Sequence, residues 1–148
     1  MTEKKERIVC VSGGFDPVHV GHIRLIKEAR QLGDKLVIIM NNDNWLLKKK
    51  GFVFMQEAER KEVLNSLKYV DEIIVSEHES DCSDMSVCSE LRLVKPSVFA
   101  NGGDRKSDNT PEYLVCEEMD IEMVFEVGGD KIQSSSDLVL KNYSGEMP

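Results

Sequence analysis

Five short apolar runs, separated by stretches of helical spacing and closed by glycine or asparagine, predict a single α/β domain on a doubly wound, five-stranded parallel sheet. Two further observations support this class. The 148 residues suffice for one core, and no repeat or linker-like change in composition divides them. Hydrophobic residues at 41% and charged residues at 31% describe a globular chain rather than a disordered one. Strands alternating with helices join through right-handed crossovers, so the strands run parallel and helices cover both faces.

Each element has its own signal. Residues 1–6 are charged, lack the apolar run of a signal peptide, and are expected to be flexible ahead of one domain spanning 1–148. RIVCVS (7–12) is the first strand and runs into Gly13 and Gly14. Ile23, Ile26, Ala29 and Leu32 recur at helical spacing, with Gly33 as the expected stop. KLVIIM (35–40) is the second strand, ended by Asn41, Asn42 and Asp43; a solvated loop is the bland alternative for the lysine run that follows. Residues 56–67 form a helix with Ala58, Val63, Leu64 and Leu67 on its apolar side, and 72–75 form the third strand. The polar stretch 76–89 leads into a helix near 87–93. Residues 97–100, 111–118 and 121–126 are strand, helix and strand, and a last helix begins near Ser134.

Composition narrows the function. A net charge of −8 disfavours nucleic acid, whose binders need a basic surface. No apolar run approaches the ~20 residues that cross a bilayer, so a soluble cytoplasmic protein is expected. Cys10, Cys82, Cys88 and Cys116 show no zinc or disulfide spacing, and no residue set reads as a metal site. An acidic enzyme that takes a triphosphate must gather positive charge locally, and Lys48, Lys49 and Lys50 do so.

Gly13 to His22 reads GGFDPVHVGH. His19 and His22, three apart at a helix start, share a face where backbone N–H groups and the positive helix end also point. Two imidazole donors there suit a phosphorus centre gaining negative charge. Glycine keeps the spot open at Gly21. The alternative is two ordinary helix-start histidines beside a tight turn.

The HxGH signature after Gly–x–Phe–Asp resembles the cytidylyltransferase-like nucleotidyltransferase superfamily, and further segments resemble it in the right order. KGFVFMQEAER with YVDE (50–60 and 69–72) is similar to choline-phosphate cytidylyltransferases. LVKPSVFANGGD (93–104) is similar to heptose 1-phosphate adenylyltransferases, and IQSSS (132–136) to the motif opening the last helix. The resemblance implies a Rossmann-like fold and, in the relatives' manner, a homodimer. His19 and His22 would stabilise the transition state, and Gly14 and Phe15 would meet the nucleotide phosphates. Lys48 and Lys50 would hold the acceptor phosphate and the triphosphate, Lys48 counting as catalytic. Asp104 and Arg105 would contact ribose or base, and Ser134, Ser135 and Ser136 the β and γ phosphates. Asp16, Trp45 and Arg60 are substrate-side candidates. Each has a structural alternative: turn amides for Asp16, a core or lid role for Trp45, pairing with Glu57 or Glu59 for Arg60.

The implied reaction moves a nucleoside monophosphate from an NTP, with Mg²⁺, onto a phosphorylated small molecule, and releases pyrophosphate. The 50–72 segments favour CTP and an alcohol phosphate, and CMP transfer to such an acceptor is the expected reaction, with ATP and a sugar 1-phosphate as the alternative. The NGGD segment favours ATP and a sugar 1-phosphate. Lipid-type cytidylyltransferases carry Arg–Thr–x–Gly before the serine motif, where this chain has Gly128 to Lys131, which blurs the base. A nucleotide-binding sensor without transfer, or a flavodoxin-like electron carrier, leaves the paired histidines unexplained.

Overall fold

A computed structural model describes residues 5–103, 110–129, 135, 138 and 139. The elements run β1 (Ile8–Gly13), α1 (Val20–Arg30), β2 (Lys35–Met40), α2 (Asp43–Lys50), α3 (Glu57–Asn65), β3 (Glu72–Val75), α4 (Cys88–Val94), β4 (Val98–Ala100), α5 (Pro111–Glu118) and β5 (Glu122–Val124). The five strands form one sheet in the order β3-β2-β1-β4-β5, and every pairing is parallel. The chain winds from β1 toward β3, then crosses back to lay β4 and β5 on the other side. The switch point is therefore β1, and its carboxyl end is where such sheets receive ligands.

Strand alternation sorts the core into two layers. Val9, Val11, Leu36, Ile38, Met40, Val98 and Ala100 face Ile26 and Ala29 of α1 and Leu64 of α3. Cys10, Val37, Ile39 and Phe99 face Leu91 of α4 with Val115 and Cys116 of α5. Leu36, Ile38 and Ile39 are wholly buried. Truncating any of them to alanine would cost about 2–5 kcal/mol.

Three sequence readings change. The lysine run is not a loop but the last turn of α2, a helix opened by Asn42, whose side chain accepts the Trp45 N–H. Gly51 closes it at φ 84°, a left-handed conformation that suits glycine. Gly33 does not cap α1, which ends at Gln31. It is needed for space, because a Cβ there would stand 2.6 Å from the Arg7 carbonyl oxygen. On α3, Ala58 is exposed and Val63 is 39% exposed, while Arg60 is wholly buried. The inward face of α3 is thus partly a guanidinium, for reasons found at the site.

Candidate active site

Beyond Gly13 the chain turns sharply. Phe15 sits at φ 51°, a left-handed conformation costing a non-glycine residue about 1–2 kcal/mol, and its ring is 2% exposed. Burial of the ring holds this strained turn, and such strain gathers at functional sites. The ring also meets His22 edge-on, centroids 4.9 Å apart.

The two histidines close the first turn of α1 on each other. His19 is the N-cap, and its Nδ1 accepts the Gly21 N–H at 3.0 Å. His22, at the third helical position, accepts the His19 N–H on its own Nδ1 at 3.2 Å. The rings stack with centroids 3.9 Å apart and planes 25° off parallel. An Nδ1 that accepts an N–H carries no proton, so in the neutral ring the proton is on Nε2. Burial, then His19, then Lys50 push the His22 pKa down to about 3. At neutral pH His22 is therefore an uncharged Nε2–H donor at the positive end of a helix. A Cβ at Gly21 would stand 2.9 Å from His19 Cε1, so this glycine makes room for the capping ring.

Beneath the pair lies a clamp that the sequence expectations only partly located. Asp16 is wholly buried, and its carboxylate accepts the N–H groups of Phe54, at 2.7 Å, and Met55. Its partners are thus amides nearly forty residues away, not those of its own turn. Arg60, also wholly buried, donates to the carbonyls of Gly14 (2.7 Å), Asn41 (2.6 Å) and Met55 (2.9 Å). Its fourth bond goes to the Asp43 carboxylate rather than to Glu57 or Glu59. Both side chains are enclosed and bonded to protein. They hold the Gly14 turn to the start of α2 and to the segment before α3.

The lysines divide. Lys50 reaches back so that Nζ donates to the Asp16 carbonyl at 2.9 Å, close enough to His22 to depress its pKa. Burial lowers its own pKa, with Asp16 opposing and Arg60 adding to the shift. Lys48 turns the other way, to Asp81, whose hydrogen bond raises its pKa. This pair is open to solvent, the two side chains being 38% and 86% exposed. Such exposed pairs are weak.

Trp45 backs the glycine turn. A Cβ on Gly14 would meet Leu46 Cδ2 at 2.9 Å and Trp45 Cζ3 at 3.2 Å. The indole N–H donates to the Met85 carbonyl, tying α2 to the 76–87 loop. Sequence reasoning missed the rest of that tie. Asn42 and Asn44 both donate to the His78 carbonyl. Ser76 Oγ accepts the Asn42 N–H and lies 2.7 Å from His78 Nδ1. An asparagine opening a helix was the one legible signal for this network.

Ser135 brings the serine motif to the turn: its Oγ donates to the Pro17 carbonyl at 2.9 Å. Asp104, Arg105, Lys131, Ser134 and Ser136 lie outside the described residues. Among the described residues no group of three His, Cys, Asp or Glu could hold a metal ion, and no helix is long and apolar enough to cross a membrane. The cysteines are free, and burial pushes the Cys10 thiol up to about 12.

Comparison with known proteins adds to this geometry. A family model described as cytidylyltransferase-like matches residues 10–143. The chain is 38% identical over 109 residues to the FAD synthase of Thermococcus sibiricus, covering 73% of this chain and 70% of that protein. It is 31% identical over 147 residues to the bifunctional protein HldE of Pelobacter propionicus, covering 94% of this chain and 28% of that longer protein. The solved lipopolysaccharide core biosynthesis protein of Thermoplasma volcanium matches with a TM-score of 0.65 at 28% identity, over 82% of this chain and 96% of that one.

Proposed function

Since this chain belongs to the cytidylyltransferase-like family and is a nucleotidyltransferase, we propose that it moves AMP from ATP onto a phosphate monoester and releases pyrophosphate. The observation that carries the reading is the reciprocal histidine cap, which aims a neutral Nε2–H donor from the start of α1. An acceptor phosphate oxygen attacks the α-phosphorus in line, and the bond to the β-phosphate oxygen breaks as the new one forms. The α-phosphate oxygens gain charge at that moment. Donors fixed in advance stabilise it without reorganising. A phosphate monoester is already a nucleophile, so no covalent enzyme intermediate is required. Lys50 supplies positive charge beside the pair, and Lys48 exchanges Asp81 for substrate phosphate. Mg²⁺ arriving with the triphosphate would neutralise part of its charge, held by the phosphates themselves.

The choice of ATP over CTP rests on two points. FAD is FMN joined to AMP through a pyrophosphate link, so a FAD synthase adds AMP to a phosphate monoester, and proteins of that name align well here. The 50–60 segment that favoured CTP is moreover occupied with architecture. Lys50, Phe54, Met55 and Arg60 hold the Asp16 and Gly14 turn, a task indifferent to the base. A sugar 1-phosphate acceptor is the second reading, favoured by the alignment with HldE along 94% of this chain.

The test is pyrophosphate release from each of the four NTPs against FMN, glucose 1-phosphate and glycerol 3-phosphate. Transfer from ATP is expected, with His19→Ala and His22→Ala each lowering kcat by roughly 10²–10³. Preference for CTP would refute the choice of base, and near-normal turnover in either variant would refute the mechanism.

A further inference from the structure

We infer that Asn41 determines acceptor specificity: its side-chain oxygen takes a hydrogen bond from a hydroxyl on the carbon next to the one bearing the acceptor's phosphate. The inference rests on the transfer reading above and names the acceptor class for the same site.

Asn41 directly follows β2 and is 4% exposed. Its backbone is fully engaged. The N–H donates to the Gly13 carbonyl at 2.8 Å, and the C=O accepts from Arg60 at 2.6 Å. Its Oδ1 is buried and has no hydrogen-bond partner. A buried, unmet acceptor is a standing penalty in the free protein, and native structures keep few of them.

Its place explains what meets it. Val37 and Ile39 face the α4–α5 layer, and the two-residue period of a strand carries Asn41 to the same face. By the same alternation Ser76, Ser12 and Asn101 follow Ile74, Cys10 and Phe99 there. A polar row thus crosses the carboxyl ends of four strands, where the apolar core stops. Ser76 Oγ is bonded to Asn42 and His78, and Asn101 Nδ2 to the Phe99 carbonyl.

Asn41 also stands on the side of β1 that carries α2, with Lys48, Lys50 and Trp45. β4, the strand that precedes the nucleotide-side segment in the sequence, lies on the other side of β1. The donor to Asn41 is therefore on the acceptor, not on the ribose. It lies near the phosphate, because one guanidinium nitrogen of Arg60 binds the carbonyls of both Gly14 and Asn41. An amide oxygen only accepts, so the ligand must donate. FMN, aldose 1-phosphates and glycerol phosphate carry a hydroxyl there, and phosphocholine does not.

The experiment compares glucose 1-phosphate with 2-deoxyglucose 1-phosphate, glycerol 3-phosphate with propyl phosphate, and FMN with 4′-deoxy-FMN, in wild type and in Asn41→Ala and Asn41→Ser. Wild type should favour the hydroxylated member of the pair it uses by about tenfold or more in kcat/KM. Asn41→Ala should lose that preference, with turnover of the deoxy analogue and the KM for ATP unchanged. Equal use of both members by wild type overturns the inference however the variants fold, and leaves adenylyl transfer standing. An Asn41→Ala that slows both members equally, or raises the KM for ATP, overturns it too. Failure of wild type to transfer to any of the six overturns the transfer reading and this inference together.

Discussion

Arg60→Met removes the donor set that joins the Gly14 turn to the start of α2 and the loop before α3. Four of the five guanidinium N–H groups are in use: three on the carbonyls of Gly14, Asn41 and Met55, one on Asp43. Losing three such bonds at about 1 kcal/mol each comes to about 3 kcal/mol. Asp43 is 37% exposed, so water takes over most of its solvation and the lost pair adds only about 1 kcal/mol. Methionine refills most of the volume. The expected loss is about 3–5 kcal/mol, a large part of the roughly 5–15 kcal/mol that usually separates folded from unfolded. Urea unfolding followed through Trp45, the single tryptophan, should show a lower midpoint with an unchanged slope. Arg60→Lys should recover less than half, because an ammonium keeps the charge but not the fork. A loss below about 1 kcal/mol, or full rescue by lysine, would refute the clamp.

Three further perturbations separate the parts of the site. Gly21→Ala puts a Cβ 2.9 Å from the His19 ring; alanine favours helix by about 1 kcal/mol, so Tm should hold or rise while kcat falls at least tenfold. Unchanged turnover would mean that the His19 ring position is immaterial. His22, ordinarily near 6.5, is lowered to about 3 by burial, so the unfolded chain binds a proton that the folded chain refuses. Its contribution to stability is whole above pH 6.5 and drains as pH falls toward 3, by up to about 1.4 kcal/mol per unit. The gap in unfolding free energy between wild type and His22→Gln should therefore narrow from pH 7 to 4. Nitrogen NMR should find the His22 proton on Nε2 throughout pH 8 to 5, and a ring titrating near 6.5 contradicts the reading. Asn42→Ala loses the α2 cap and the tie to His78; a drop of about 1–2 kcal/mol in thermal unfolding is expected, and none would show that the 76–87 loop holds α2 without it.

The sheet was legible because parallel strands buried on both faces read as unbroken apolar runs, and 35–40 matches β2 in both bounds. α2 was not, because only Leu46 of DNWLLKKK is buried, which leaves no periodic stripe and lets three lysines pass for a loop. The histidine pair showed itself by spacing, but its reciprocal bonding through Nδ1 did not. Arg60 was seen as a candidate yet not as a hub, since three of its partners are carbonyls, which every residue type carries. Its distances along the chain, from 5 to 46 residues, follow no local period. Asn41 is harder still: an unmet acceptor leaves no trace in composition or pattern.

The reciprocal histidine cap ties chemistry to heredity. Because the two rings start α1, a descendant that abandoned catalysis could not let them drift freely without fraying the helix that packs on β1 and β2. The substitutions open to it are those that rebuild the same pair of bonds, Ser, Thr, Asp or Asn at position 19 with Glu or Gln at position 22. Retired copies of this gene should carry that mark, and it would date the loss of activity apart from the loss of the fold.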